Sequence, residues 1–421
     1  MNTRSLWAIL AVLGLALAGC PSGDDAGKGK TDAPKADAKK DDGAAKKDDK
    51  KDGAPAKKDE EAAPSGDGVI AIQTTLTDAE KKSATDLAAK VKRGKFPWAE
   101  QAKKENANLF LHLAASSDKP EIVAAALHGM SRSWTYWKKN DKKMHVNEDY
   151  QKVVRARLGS ADTNVLGRAI EAAPNAIAVD NPDKDVIDTL AKMAKDHANP
   201  AARVAAADAI ARSKDFQKNE EIVTALLDAL DDKEAYVVST ALFRMQFSAY
   251  SIVKKEELYA KAKELLKHAD QGVRGRAAVF AANLAQSNEQ KKELGDLIFP
   301  MLKDQAPFVR SYAATALSTL KRKDAIHAFM DMLDDVEKNS YNIKYTKLTG
   351  EPGTVHHDGS AWSRVDDAVL YSLKSMTWSL GDSKFQYGKI NYKTVDQDLG
   401  AAKKEARAWY KKNKKDLPPA Q

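Results

Sequence analysis

The sequence predicts an all-α chain, an α-solenoid of about seven helical pairs repeating every 36 residues. Three observations carry this. A step of 36 from Ala169 lands on Ala205, Ala241, Ala277 and Ala313, alanine each time. The same step keeps apolar residues four positions before (Val165, Ala201, Val237, Val273, Val309) and four after (Ala173, Ala209, Met245, Ala281, Leu317), which places all three sets on one helix face. A second apolar register, Val186, Ile222, Leu258, Leu294 and Met330, holds the same period, so each unit contains two amphipathic helices. Composition is the third observation. Only 7% of residues are aromatic, and 22 Gly and 14 Pro in 421 residues leave a chain dominated by helix formers.

The elements follow in order. Arg4 precedes an apolar run, Leu6 to Leu17, that is too short for an ordinary membrane span and has the layout of a secretory signal. It closes on Leu17-Ala18-Gly19-Cys20, which resembles the lipobox of bacterial lipoproteins. The resemblance implies a signal peptide over 1–19, cleavage before Cys20, and acylation of that cysteine, the only one in the chain. Acyl chains at ~0.8 kcal/mol per buried methylene would tether the protein to a lipid bilayer. Pro21-Ser22 lacks the Asp that retains some lipoproteins at the inner membrane, so the expected location is the cell envelope, at the outer membrane. From 20 to 68 the chain is Lys, Asp, Ala, Gly and Pro, with no aromatic residue. Such a stretch cannot bury enough apolar surface to offset its ordering entropy and reads as a disordered tether.

Residues 69–421 form the predicted array. Thr77-Asp78-Ala79-Glu80 is a capping box opening a helix to about Arg93. A helix from about Trp98 to Ala115 follows, then an imperfect repeat, Pro120 to Leu158, with Ile122, Ala126 and Met130 on one face. The core repeats occupy 162–341, and turn signals such as Ala198-Asn199-Pro200, Asp270-Gln271-Gly272 and Gln305-Ala306-Pro307 mark their junctions. A polar insertion, 339–360, interrupts the series. A C-terminal cap over 361–421 resumes it, with helices at about 361–380 and 396–413.

Gly272-Val273-Arg274-Gly275-Arg276-Ala277-Ala278 and Phe308-Val309-Arg310-Ser311-Tyr312-Ala313-Ala314 resemble the Val-Arg-x-x-Ala-Ala signature of HEAT-like repeats, including the group shared with phycobilisome lyases. The resemblance implies a structural ladder between repeats in which Arg274 and Arg310 meet Asp270 and Asp304 or their neighbours. Leu166, Ala202 and Val238 stand at the arginine position of the other units, which confines the ladder to the later ones.

Motifs for catalysis do not appear: no Gly-x-Ser-x-Gly, no His-Glu-x-x-His, no phosphate loop and no dinucleotide fingerprint. His356 and His357, followed by Asp358, could donate to a metal, but no further ligand has a suitable spacing, and a solvated loop is the simpler reading. Paired carboxylates such as Asp334-Asp335, Asp366-Asp367 and Glu220-Glu221 sit at helix ends, where acids satisfy the dipole. Aromatic residues cluster near the two ends of the array. Trp134, Tyr136 and Trp137 on one side and Trp362 and Trp378 on the other are candidate binding residues, although covering the exposed ends of a core accounts for them as well.

The formal charge is +8, and the array without signal and tether carries +9. In an exported protein this points to an acidic partner or the anionic envelope and away from nucleic acid. The expected function is a non-catalytic scaffold for an unknown protein or peptide partner, with no cofactor, no metal and no small-molecule substrate. Two alternatives stand beside it: an electrostatic binder of anionic envelope polymers or headgroups, and a lyase-type enzyme sharing the repeats.

Overall fold

The computed structural model describes residues 68–92, 105–140, 148–177, 182–356, 364–378 and 395–419. Contacts divide the chain into two units, 1–62 and 63–421, and every described residue belongs to the second. Cys20, the expected signal peptide and nearly all of the expected tether lie outside the described residues.

The described residues form an all-α solenoid. Its sixteen α-helices are α1 (Asp78–Lys92), α2 (Glu105–Ser116), α3 (Pro120–Asn140), α4 (Glu148–Arg157), α5 (Thr163–Ile177), α6 (Lys184–Asp196), α7 (Pro200–Ile210), α8 (Glu220–Asp228), α9 (Ala235–Gln246), α10 (Lys255–Leu265), α11 (Gln271–Leu284), α12 (Asn288–Ile298), α13 (Pro307–Thr319), α14 (Ala325–Asp331), α15 (Val365–Trp378) and α16 (Val395–Asn413). They make eight pairs, one more than the repeat count suggests, because α1 and α2 pack as a unit of their own. Odd-numbered helices pack against one another along the array and form one row, and even-numbered helices line it, α6 for example lying against α4, α5, α7 and α8.

Small residues explain why the odd row is close-packed. Ala169, Ala241, Ala277 and Ala313 have no exposed surface, so neighbouring backbones approach without a gap. Gly275 on α11 goes further: a methyl group there would stand 2.7 Å from the ring of Phe308 on α13. Local signals start the helices. Asp183, Asn199, Asn219 and Asp270 each accept a backbone N–H of the first turn, Pro200 and Pro307 occupy opening positions that need no donor, and Ser287 with Gln290 closes a capping box.

Spacing by caps corrects one part of the sequence reading. The residues preceding the odd helices of the regular block are Asp162, Asn199, Glu234, Asp270 and Ala306, at intervals of 37, 35, 36 and 36. A strict step of 36 therefore slips by one residue in the second unit. The buried equivalent of Ala169 is Ala206, while Ala205 is partly exposed.

The insertion is the second difference. In place of a solvated loop, Asn342–Thr346 (β1) and Pro352–His356 (β2) pair antiparallel, with Ile343 opposite Val355 and Tyr345 opposite Gly353. Alternating Ile343 and Tyr345 suit a strand with one covered face. Gly350 supplies the positive φ of 75° that the turn requires, and its N–H donates to the Lys347 carbonyl at 2.9 Å. Among the described residues no helix is long and apolar enough to cross a membrane.

Candidate functional site

A loop motif recurs before each odd helix of the regular block. The side chain two residues ahead of the cap accepts the cap residue's own N–H: Ser160, His197, Asp232, His268 and Asp304 do this at 3.2, 3.0, 2.8, 3.0 and 2.8 Å. His197 and His268 are thus turn residues with a defined acceptor role.

Three arginines stand four residues after the cap, and each reaches back to two carbonyls of the same loop. Arg203 donates to His197 and Ala198, Arg274 to His268 and Ala269, and Arg310 to Asp304 and Gln305. Each also crosses to an acid of the next unit. Arg274 meets both Asp304 oxygens at 3.1 Å, Arg310 meets Asp335 at 2.7 Å and Glu337 at 3.0 Å, and Arg203 meets Asp232 at 2.5 and 2.9 Å. The ladder therefore begins earlier than the strict step of 36 placed it, which landed on Ala202. Asp270 plays another part: its carboxylate caps α11 through Val273 N–H at 3.0 Å and accepts the Tyr341 hydroxyl. Burial and that carboxylate push the Tyr341 hydroxyl well above the ordinary phenol range.

The hairpin lies against the odd-helix row. Tyr345 stacks on Tyr236 of α9 with ring centroids 5.0 Å apart and planes 6° from parallel. Opposite it on β2, a methyl group at Gly353 would stand 2.5 Å from the Tyr345 ring, so glycine there leaves the ring its place. At the turn, Leu348 is buried, and a methyl group at Gly167 on α5 would come within 3.0 Å of both Leu348 and Thr349. Glu351 accepts from Arg168 at 2.5 Å, and Arg168 also holds Glu171 at 2.8 Å. At the hairpin's base, Phe308 stacks on Tyr312 at 4.2 Å and lies 6.1 Å from Tyr341. The hairpin thus touches residues of α5 and α9, and Tyr341, which leads into it, touches Asp270 before α11 and Phe308 on α13.

Beyond the hairpin the same row stays open. Tyr236, Thr240 and Phe243 on α9 and Phe247, its C-cap, follow one another at helical spacing. Phe247 is 60% exposed and Tyr250, just after the helix, 57%, the largest exposures among described aromatic side chains. Phe243 meets Phe247 edge-on at 5.4 Å, with the Arg276 guanidinium 4.6 Å above its ring and that of Arg244 at 5.5 Å. Arg244 and Arg212 share Asp208 of α7, the latter at 2.6 Å. Rigid rings beside fixed cations can hold a carboxylate-bearing, aromatic or aliphatic chain segment.

Burial opposes ionisation of Glu171, but hydrogen bonds from His128 and Arg168 and the Arg168 charge outweigh it and hold the carboxyl at about 2. A carboxyl lowered in the folded state adds stability that is complete above its unfolded value near 4.5 and is lost as the pH falls towards 2. The urea midpoint of the wild type should therefore drop more steeply between pH 5 and 2.5 than that of Glu171→Gln. Parallel curves would contradict this assignment.

The other sequence candidates fall as follows. Trp134, Tyr136 and Trp137 belong to the last turns of α3, and Trp378 ends α15; their side chains lie outside the described set. His356 ends β2 opposite Asn342, while His357 and Trp362 lie outside the described residues. Each pair of carboxylates has at least one member in an ion pair: Asp366 with Arg364 and Lys403, both at 2.6 Å, Asp334 with Arg407 at 2.8 Å, Asp335 with Arg310, and Glu221 with Lys184. Among the described residues no group of three or more His, Cys, Asp or Glu could hold a metal ion. Sequence reasoning missed Arg203 and Asp232, which alignment by caps would have found, and the Phe247–Tyr250 patch, for which exposure is the only signal.

No protein family matches the chain, and no curated protein does. Among solved structures it is similar to Kap121p (12% identical, covering 79% of this chain and 38% of that one, TM-score 0.47). It is also similar to importin beta (14%, 79% and 44%, TM-score 0.44) and to a designed armadillo repeat protein (22%, 50% and 98%, TM-score 0.34). No functional inference follows from likeness at this level.

Proposed function

We propose that this protein is a lipid-anchored, non-catalytic scaffold of the bacterial cell envelope that holds a segment of a partner protein against the open side of its odd-helix row. The observation that carries the reading is the exposure of Phe247 and Tyr250, with Phe247 edge-on to Phe243 and the Arg244 and Arg276 guanidiniums over that ring, on a row of otherwise close-packed helices. Exposed apolar surface rimmed by polar groups marks interaction sites where it is contiguous. The Leu-Ala-Gly-Cys20 sequence supports the anchor, the lack of Asp after it supports the outer membrane, and the stretch from 20 to 68 supports a tether of roughly 35–45 Å reach.

Affinity capture with the full, tethered chain tests the reading. Wild type should retain a stoichiometric partner that Phe247→Asp with Tyr250→Asp loses at least tenfold, with the melting temperature unchanged. Palmitate-analogue labelling in the same cells should vanish in Cys20→Ala. Equal retention by the double variant, or labelling that survives without Cys20, would contradict the corresponding half.

A second reading has its own observation. Lys411, Lys412, Lys414 and Lys415 are exposed at the end of α16, a basic patch suited to anionic envelope polymers or headgroups. Binding of that type would disappear in moderate salt and ignore the Phe247 and Tyr250 changes.

A further inference from the structure

The hairpin contributes nothing to the repeat pattern, yet together with Tyr341, which leads into it, it makes specific contacts along the odd-helix row. Its docking has the make-up of a recognition event. An aromatic side chain, Tyr345, stacks on Tyr236, and Gly353 opposite leaves the ring its place. An aliphatic one, Leu348, is buried over Gly167, where the absence of a side chain opens the space it fills. A carboxylate, Glu351, closes on Arg168, and a phenol, Tyr341, donates to Asp270. The seats belong to different helices but lie on one side of one row. The row without the hairpin would therefore present an aromatic platform, a shallow apolar seat and a guanidinium in fixed order.

We propose that this face is the specific seat for a partner segment and that the hairpin is its resident competitor. The inference rests on reading the odd-helix row as the binding face and names the partner class. That class is an extended or hairpin segment bearing an aromatic residue, an aliphatic residue three positions later and a carboxylate three beyond that, the order of Tyr345, Leu348 and Glu351. Such a segment gains the stack and the ion pair only by displacing the hairpin, so the chain's own copy lowers its apparent affinity in proportion to the fraction of seats left vacant. The neighbouring Phe247–Tyr250 patch remains open throughout and provides a first point of contact.

The probe is a fluorescent peptide of residues 340–357, closed end to end so that it keeps the hairpin register. It is titrated against the full chain and against a full chain whose residues 342–356 are replaced by a Gly-Ser linker. The linker variant should bind the peptide at least tenfold more tightly than wild type. Arg168→Glu in that variant should weaken binding at least tenfold, and a peptide with Tyr345→Ala should do the same. A linker variant that melts cooperatively but binds no peptide would overturn the proposal, as would equal binding to both chains that ignores Arg168→Glu.

If the linker variant does not fold, the full chain carrying Arg168→Glu with Tyr236→Ala replaces it. Hydrogen exchange at the 342–356 amides should then accelerate at least tenfold while the even helices keep their protection. Unchanged protection would count against the proposal. A partner captured by wild type with no peptide bound by the vacant face sinks this inference and leaves the scaffold reading standing. Peptide binding with no partner captured does the reverse.

Discussion

Arg203→Ala is expected to lower the free energy of unfolding by ~3–5 kcal/mol, the cost of leaving one charge of a buried ion pair without its partner. Arg203 and Asp232 are 8% and 6% exposed, so water cannot replace the lost group. The same guanidinium also ties down the His197 and Ala198 carbonyls, which would be left without that donor. Two comparisons separate burial from mere proximity. Arg274 and Asp304 repeat the geometry at 20% and 18% exposure, so Arg274→Ala should cost clearly less. Replacing both partners by apolar residues, Arg203→Met with Asp232→Leu, should restore most of the stability, because a well-packed apolar pair often equals a buried ionic one. Urea unfolding followed by circular dichroism measures all three. A loss below about 1 kcal/mol for Arg203→Ala would mean that the pair is solvated in the way of ordinary surface ion pairs.

Gly275→Ala is the second large effect, and it has the opposite sign from ordinary helix propensity. Inside a helix, Gly to Ala normally stabilises by ~1 kcal/mol. Here the added methyl would lie 2.7 Å from the Phe308 ring, which is 1% exposed and fixed against Tyr312. The ring cannot swing out, so α11 and α13 must separate, and overpacking of this kind costs ~1–3 kcal/mol. Gly400, with nothing within 4 Å of its would-be methyl, is the control: Gly400→Ala should gain stability. Displacing Phe308 should also loosen Tyr341 beside it, and hydrogen exchange should register faster opening of the hairpin in Gly275→Ala alone. Both glycine variants gaining stability would show that the α11–α13 contact is looser than the geometry requires.

The architecture was legible because helix stacking writes itself into spacing. Alanine at Ala169, Ala241, Ala277 and Ala313 suits a close-packed row, where all four are fully buried. The same rigidity of step misplaced the second unit. One additional residue before Asn199 and one fewer before Glu234 cancel over two units, so a fixed period passed through Ala205 and Ala202 where the folded chain uses Ala206 and Arg203. The hairpin was hidden for another reason. Asn342–Thr346 and Pro352–His356 are too short and too polar to signal a sheet, and the contacts of Tyr341 with Asp270, Tyr345 with Tyr236 and Leu348 with Gly167 span 71, 109 and 181 residues, beyond any local pattern. Exposure of Phe247 and Tyr250 is likewise a property of the folded surface, since their spacing alone reads as core.

The central claim, that the odd-helix row is the working surface, meets its most direct test in photo-crosslinking from single positions in the full tethered chain. Benzoylphenylalanine at Phe247, Tyr250 or Arg212 should yield the same discrete partner adduct. The same probe at Lys192 or Lys291, on the even helices α6 and α12, should yield none. Equal adducts from both sets, or adducts from the even-helix set alone, would contradict the account.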